Sequence, residues 1–123
     1  MGVFMKLINS NEIIIKKSRF LGFYYEISTP DEANLILESL KKEHKKARHL
    51  PYAYMCCGTA KKSDDKEPSG TAGMPIYTVL ERKNMNNTLV VVIRYFGGIK
   101  LGAGGLFRAY MECASKVIED VKK

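Results

Sequence analysis

The residues best able to do chemistry lie in two stretches, 64–73 and 94–108. In the first, Asp64, Asp65 and Glu67 form an acidic knot, followed by Ser69, Gly70, Thr71 and Gly73. Neighbouring carboxylates can hold Mg²⁺ or act as a general base. They can equally cap a turn or hold an arginine in place. In the second, Arg94 ends an apolar run, and Gly97, Gly98, Lys100, Gly102, Gly104, Gly105 and Arg108 follow. Glycine lets a ligand approach the backbone closely. If each stretch opens a helix, two helix N-termini present N–H donors and the positive ends of their dipoles. Side by side they would form one anion-binding concavity. Arg94, Lys100 and Arg108 would supply its charge; Ser69, Gly70, Thr71 and the glycines at 97, 98, 102, 104 and 105 would supply its donors. The glycines also suit a tight strand-to-helix crossover that binds nothing.

Neither loop matches a standard nucleotide motif. Lys100 precedes Gly102, so the P-loop pattern fails, and the glycine spacing does not fit the dinucleotide pattern. Ser69 and Thr71 have no His–Asp partner by spacing, so a nucleophile is not identified. Arg94 ends a buried strand and must meet a carboxylate or a ligand there, with Asp64, Asp65 and Glu67 as the candidates. His44 and His49 read as hydrogen-bonding fixtures, and Arg108 can pair with Glu112 one helical turn on.

The elements that must position these groups show in the apolar patterning. Residues 89–93 form a largely β-branched apolar run, ended by Arg94 and two aromatics with glycines after them, which reads as a strand buried on both faces. Phe107, Tyr110, Met111, Ala114, Val117, Ile118 and Val121 then repeat at helical spacing. Thr29-Pro30-Asp31-Glu32 is a helix start with a capping box, and Ala33, Ile36, Leu37 and Leu40 are its buried stripe. That helix ends in Lys41, Lys42, Lys45, Lys46 and Arg48, a cluster that suits the helix dipole or a phosphate-bearing partner. Asn9-Ser10-Asn11 has turn composition and predicts a hairpin between strands at 3–9 and 12–16, the second resuming through Ile27. Residues 52–58 read as a strand, 61–73 as a surface loop, and a helix runs from Pro75 to about Asn84. The order β-β-α-β-α-β-α over 1–123 predicts a single α+β domain: a two-layer sandwich of a four- to five-stranded mixed sheet with its helices on one face.

Twenty Lys and Arg against thirteen Asp and Glu give a net charge of +7, which favours a polyanionic partner. Three cysteines, two of them adjacent, show no metal-ligand or C-x-x-C spacing and read as reduced thiols of a cytoplasmic protein. No metal or cofactor is expected. No leader, no membrane-spanning run and no membrane partner are expected either, and Lys6 breaks a myristoylation pattern at Gly2.

Four segments resemble the IMPACT/YigZ family. They are Lys17-Ser18-Arg19-Phe20-Leu21-Gly22, Ala47-Arg48-His49 with Ala53-Tyr54, residues 64–75, and residues 94–106 with Arg108-Ala109-Tyr110. The resemblance implies a ribosomal-protein-like domain (the second-domain type) with a left-handed crossover. It implies a setting in translation, since eukaryotic relatives bind the activator of an initiation-factor kinase, whereas bacterial relatives have no settled activity. The N-terminal domain of the eukaryotic proteins and the ferredoxin-like C-terminal domain of the bacterial ones have no counterpart in these residues. Lys66 stands where the family's acidic motif usually has glycine, which puts a tight turn there in question. The expectation is therefore a regulatory binding domain acting on translation through RNA, the ribosome, a translation-related protein or a phosphate- or nucleotide-bearing partner. The alternative is a small enzyme acting on a phosphate-containing metabolite in the same glycine-loop pocket.

Overall fold

A computed structural model describes residues 6–121. In chain order its elements are β1 (Lys6–Ile15), β2 (Ser18–Glu26), α1 (Pro30–Glu43), β3 (Tyr52–Cys56), β4 (Thr59–Ser63), α2 (Gly73–Arg82), β5 (Thr88–Tyr95) and α3 (Gly102–Glu119). The strands form one five-stranded sheet in the order β1-β2-β5-β3-β4. Every neighbouring pair is antiparallel. The α+β class and the strand number agree with the sequence reading. The sheet is antiparallel rather than mixed, because β5 returns between β2 and β3, the two strands joined through α1.

The helices cover both faces, not one. Leu89, Val91 and Ile93 pack with the α1 stripe of Ala33, Ile36, Leu37 and Leu40. Val90 and Val92 pack on the other side with Ile76 and Leu80 of α2 and Ala109, Tyr110, Cys113 and Val117 of α3. Residues 89–93 are all 0% exposed. Side chains alternate along a strand, so an unbroken apolar run demands a cover on each face.

The first hairpin also differs from expectation. β1 runs straight through Asn9-Ser10-Asn11, with a register shift between Leu7 and Asn9. Asn9 Nδ2 donates to the Val117 carbonyl at 3.0 Å, and Asn11 Oδ1 accepts the Gly22 N–H at 3.1 Å. Their amides therefore tie the sheet edge to its surroundings instead of making a turn. The turn is Lys16-Lys17, both at positive φ, the conformation of a two-residue hairpin loop. Residues 3–5 of the expected first strand lie outside the described residues.

β4 overlaps the start of the segment read as a loop, 61–73, and begins two residues before it. It is an edge strand whose Thr59, Ala60, Lys61 and Lys62 are all exposed. Lysines on an edge strand discourage pairing with other chains and erase the apolar alternation that would betray it. α1 is capped as expected: Glu32 N–H donates to Thr29 Oγ1 at 3.2 Å, and the Glu32 carboxylate accepts the Thr29 N–H at 3.2 Å. Among the described residues no helix is long and apolar enough to cross a membrane.

Candidate ligand-binding end

The antiparallel order brings four connections to one end of the sheet. Tyr95 pairs with Arg19 at the start of β2, and Arg94 bridges His49 just before β3. The Lys16-Lys17 turn, the 44–51 connection, the acidic loop 64–72 and the glycine loop 96–101 therefore open together. α2 and α3 both start at this end.

The acidic loop is committed internally. Asp64 Oδ1 accepts the N–H groups of Ala72 and Gly73 at 3.1 and 2.8 Å, and its Oδ2 accepts that of Gly70 at 2.9 Å. It is the anion at the α2 N-terminus, where helix amides and dipole both favour negative charge. Burial pushes its carboxyl up, but these three N–H groups and Lys62 outweigh that and hold it below its ordinary value. Asp65 Oδ2 accepts the Leu50 N–H at 2.7 Å. Asp65 and Lys66 both take positive φ, and the Glu67 N–H closes the turn on the Asp64 carbonyl at 3.0 Å. The tight turn survives with lysine where the family usually has glycine.

Glu67 is turned inward, its side chain 1% exposed. It accepts a bidentate pair from Arg94, Nε at 2.6 Å and Nη2 at 2.9 Å. The Tyr110 hydroxyl donates to the same carboxylate. Burial first, and the hydrogen bond to Glu67 second, push the Tyr110 phenol far up, so it stays a neutral donor. Arg94 is held charged: burial disfavours its cation, but Glu67 more than compensates. His49 Nδ1 lies 3.0 Å from the Asp65 carbonyl, an acceptor only, so Nδ1 carries the proton. Its Nε2 is 3.7 Å from Glu67.

The shared anion-binding concavity therefore needs correction. The two stretches do meet, in a cavity of about 310 Å³ lined by Glu67, Pro68, Arg94, Phe96, Lys100 and the first turn of α3. Yet the α2 amides point at Asp64, and Thr71 is buried with its N–H and hydroxyl both on the Pro68 carbonyl. Ser69 and Gly70 line a separate concavity with Lys62 and Asp64. Gly105 and Arg108 line a third with Lys16. Of the expected anion-binding residues, Arg94, Lys100 and Gly102 share the central cavity. Gly97, Gly98 and Gly104 line none of these three. Gly97 serves close packing: a Cβ there would overlap the Lys17 backbone and come within 2.7 Å of the Lys17 Cβ. Gly73 likewise lies against the Ser63 carbonyl, 2.8 Å from where its Cβ would sit. The Arg108–Glu112 pair does not form; Glu112 instead meets Lys116 at 3.0 Å. Among the described residues no group of three His, Cys, Asp or Glu side chains gathers to hold a metal ion.

Two contributors were not singled out as site residues. Tyr110 fell into the core stripe, and only the fold brings it to Glu67, 43 positions away. Phe96 is 45% exposed beside Arg94, whose guanidinium carbon lies 5.7 Å from the ring centroid. Its signal in the sequence is an aromatic just past the end of an unbroken apolar strand.

The family model for the Impact N-terminal domain matches residues 16–118. The chain belongs to the IMPACT family. It is 43% identical over 120 residues to the IMPACT family member YvyE of Bacillus subtilis (strain 168), covering 95% of this chain and 55% of that protein. The chain spans about half the length of the curated IMPACT relatives it matches. A crystal structure of a hypothetical protein superposes with a TM-score of 0.88 at 32% identity, over 98% of this chain and 63% of that one. The two-domain translational regulator Yih1 superposes with a TM-score of 0.59 at 24% identity, over 98% of this chain and 49% of Yih1, a likeness of fold. In this IMPACT-family chain the acidic and glycine motifs are therefore one structure, joined by the Glu67–Arg94 pair.

Proposed function

We propose that this domain is a cytoplasmic binding module of translation that docks on the phosphate backbone of RNA with the end of the sheet where β5 stops and α3 starts. One observation carries the reading. Asp64, Asp65 and Glu67 are all spent on internal donors, while the lysines and arginines of that end other than the buried Arg94 stay outward. Lys16, Lys17, Lys100 and Arg108 are exposed, as are Lys41, Lys42, Lys45, Lys46 and Arg48 at the end of α1. None of these nine forms an ion pair among the described residues. His44 Nδ1, 2.6 Å from the Tyr95 hydroxyl, ties the end of α1 to the end of β5, so both groups of cations lie at the same end of the sheet. Glu43 is an exposed acid among them. Translation as the setting is supported by family membership and by a structural neighbour that is a translational regulator.

The enzyme reading has less to draw on. A general base needs a carboxylate facing the substrate. Here Asp64, Asp65 and Glu67 accept from backbone amides, from Arg94 and from Tyr110.

The test is fluorescence anisotropy of a labelled RNA against salt. Log affinity falls with log salt by roughly 0.7 to 0.9 per phosphate contact, so four contacts give a slope of about −3. Reversing Lys45 and Lys46 to glutamate should weaken binding and flatten the slope, leaving thermal stability unchanged. Binding that is absent, or insensitive to salt, refutes the reading.

A further inference from the structure

The cavity at this end is mostly apolar, although cations surround it. Pro68, Leu101 and Leu106 form walls, with Phe96 among the lining residues and Lys100 beside it. A pure phosphate site has no use for apolar walls, nor for a phenylalanine left 45% exposed. Single-stranded nucleic acid uses both: a base stacks on an aromatic face and its backbone lies along lysines and arginines.

We infer that this cavity holds one unstacked base of a single-stranded RNA segment, with Phe96 as its stacking platform; the inference rests on the RNA reading above. About 310 Å³ is near the lower limit of ligand cavities, enough for one base and its sugar and too small for the end of a duplex. Leu101 lines both this cavity and the neighbouring concavity that contains Lys16 and Arg108. Cations for the flanking phosphates therefore lie on two sides of the base. At the inner side, Arg94 gives two of its five N–H groups to Glu67 and keeps others to donate to a base's acceptor edge. Its guanidinium also lies over the Phe96 ring, 5.7 Å from the centroid.

The experiment uses the full chain and one oligoribonucleotide carrying a 2-aminopurine, offered single-stranded and as a duplex. Single-stranded RNA should bind more tightly than duplex, with the 2-aminopurine emission changing as the base leaves its neighbours for the cavity. Phe96→Ala should weaken single-strand binding on the order of tenfold, leave duplex binding and the salt slope alone, and be rescued by Phe96→Tyr. Ala103→Leu, which fills the cavity from an exposed helical position, should weaken single-strand binding independently of Phe96. Equal binding of the two RNA forms, or Phe96→Ala and Ala103→Leu behaving as wild type, overturns the base pocket and leaves backbone docking intact. Failure of wild type to bind either form overturns the RNA reading itself. A poly-glutamate peptide that displaces the RNA and loses affinity on Phe96→Ala would assign the cavity to a protein partner and overturn the inference.

Discussion

Glu67→Ala removes the carboxylate that faces Arg94 and leaves a guanidinium inside the protein. The Glu67 side chain is 1% exposed and that of Arg94 10%. The substitution deletes two charge-assisted hydrogen bonds, at 2.6 and 2.9 Å, and strands the Tyr110 hydroxyl. Breaking a buried pair from one side costs about 3–5 kcal/mol, because the survivor is a desolvated charge. Whole domains are stable by only about 5–15 kcal/mol, so the variant should be near the limit of folding. With a urea m-value of about 2 kcal/mol per molar, the midpoint should fall by roughly 2 M, followed by far-UV circular dichroism. Glu67→Leu combined with Arg94→Met should recover most of the loss, since no charge is then left unpaired. A midpoint shift below about 0.5 M for Glu67→Ala, at unchanged m, would refute the reasoning. It would mean that Arg94 reaches solvent or a ligand and that Glu67 is not its structural partner. Tighter phosphate binding by Glu67→Gln would point the same way.

Asp64→Ala should cost about 1–2 kcal/mol as a lost helix cap. Asp64's folded pKa lies below its ordinary value of 3.8, so its stabilisation is complete above that value and is lost as pH falls through the lower folded one. Acid unfolding of Asp64→Ala, measured from pH 5 downward (about the onset of such losses), should accordingly be flatter than that of the wild type. The glycines of the second motif should separate by role. Gly97→Ala forces a side chain into the Lys17 backbone and should destabilise strongly, whereas Gly104→Ala meets only the flexible Arg108 guanidinium at 3.3 Å and should stabilise α3 by roughly 1 kcal/mol in thermal melts. Of the three cysteines, Cys57 alone is exposed and should react with iodoacetamide in the native protein. Burial raises the Cys56 thiol to about 11 and the Cys113 thiol to about 12, so both should label only on unfolding, as peptide mass spectrometry would show.

Local chemistry alone was enough to place α1, with its Thr29–Glu32 capping box, and the strand and helix of the 88–119 stretch. Each depends on contacts a few residues apart, or on a burial pattern repeated within one element. The need of Arg94 for a carboxylate was legible too, because an unpaired charge at the end of a buried strand is costly. Which carboxylate answers it was not. Asp64, Asp65 and Glu67 are near-equivalent in sequence, and only the turn at Asp65-Lys66 sends the first to the α2 amides, the second to Leu50 and the third to Arg94. Polarity misled where tertiary contacts override composition: Asn9 and Asn11 bond across from an edge strand, and Lys61 and Lys62 sit in one. The two-sided cover of β5 was implicit in its apolar run, but the pairing of β5 between β2 and β3 is a long-range choice that no local pattern encodes. That pairing gathers the four loops at one end and leaves Phe96 and the cations outward around the cavity.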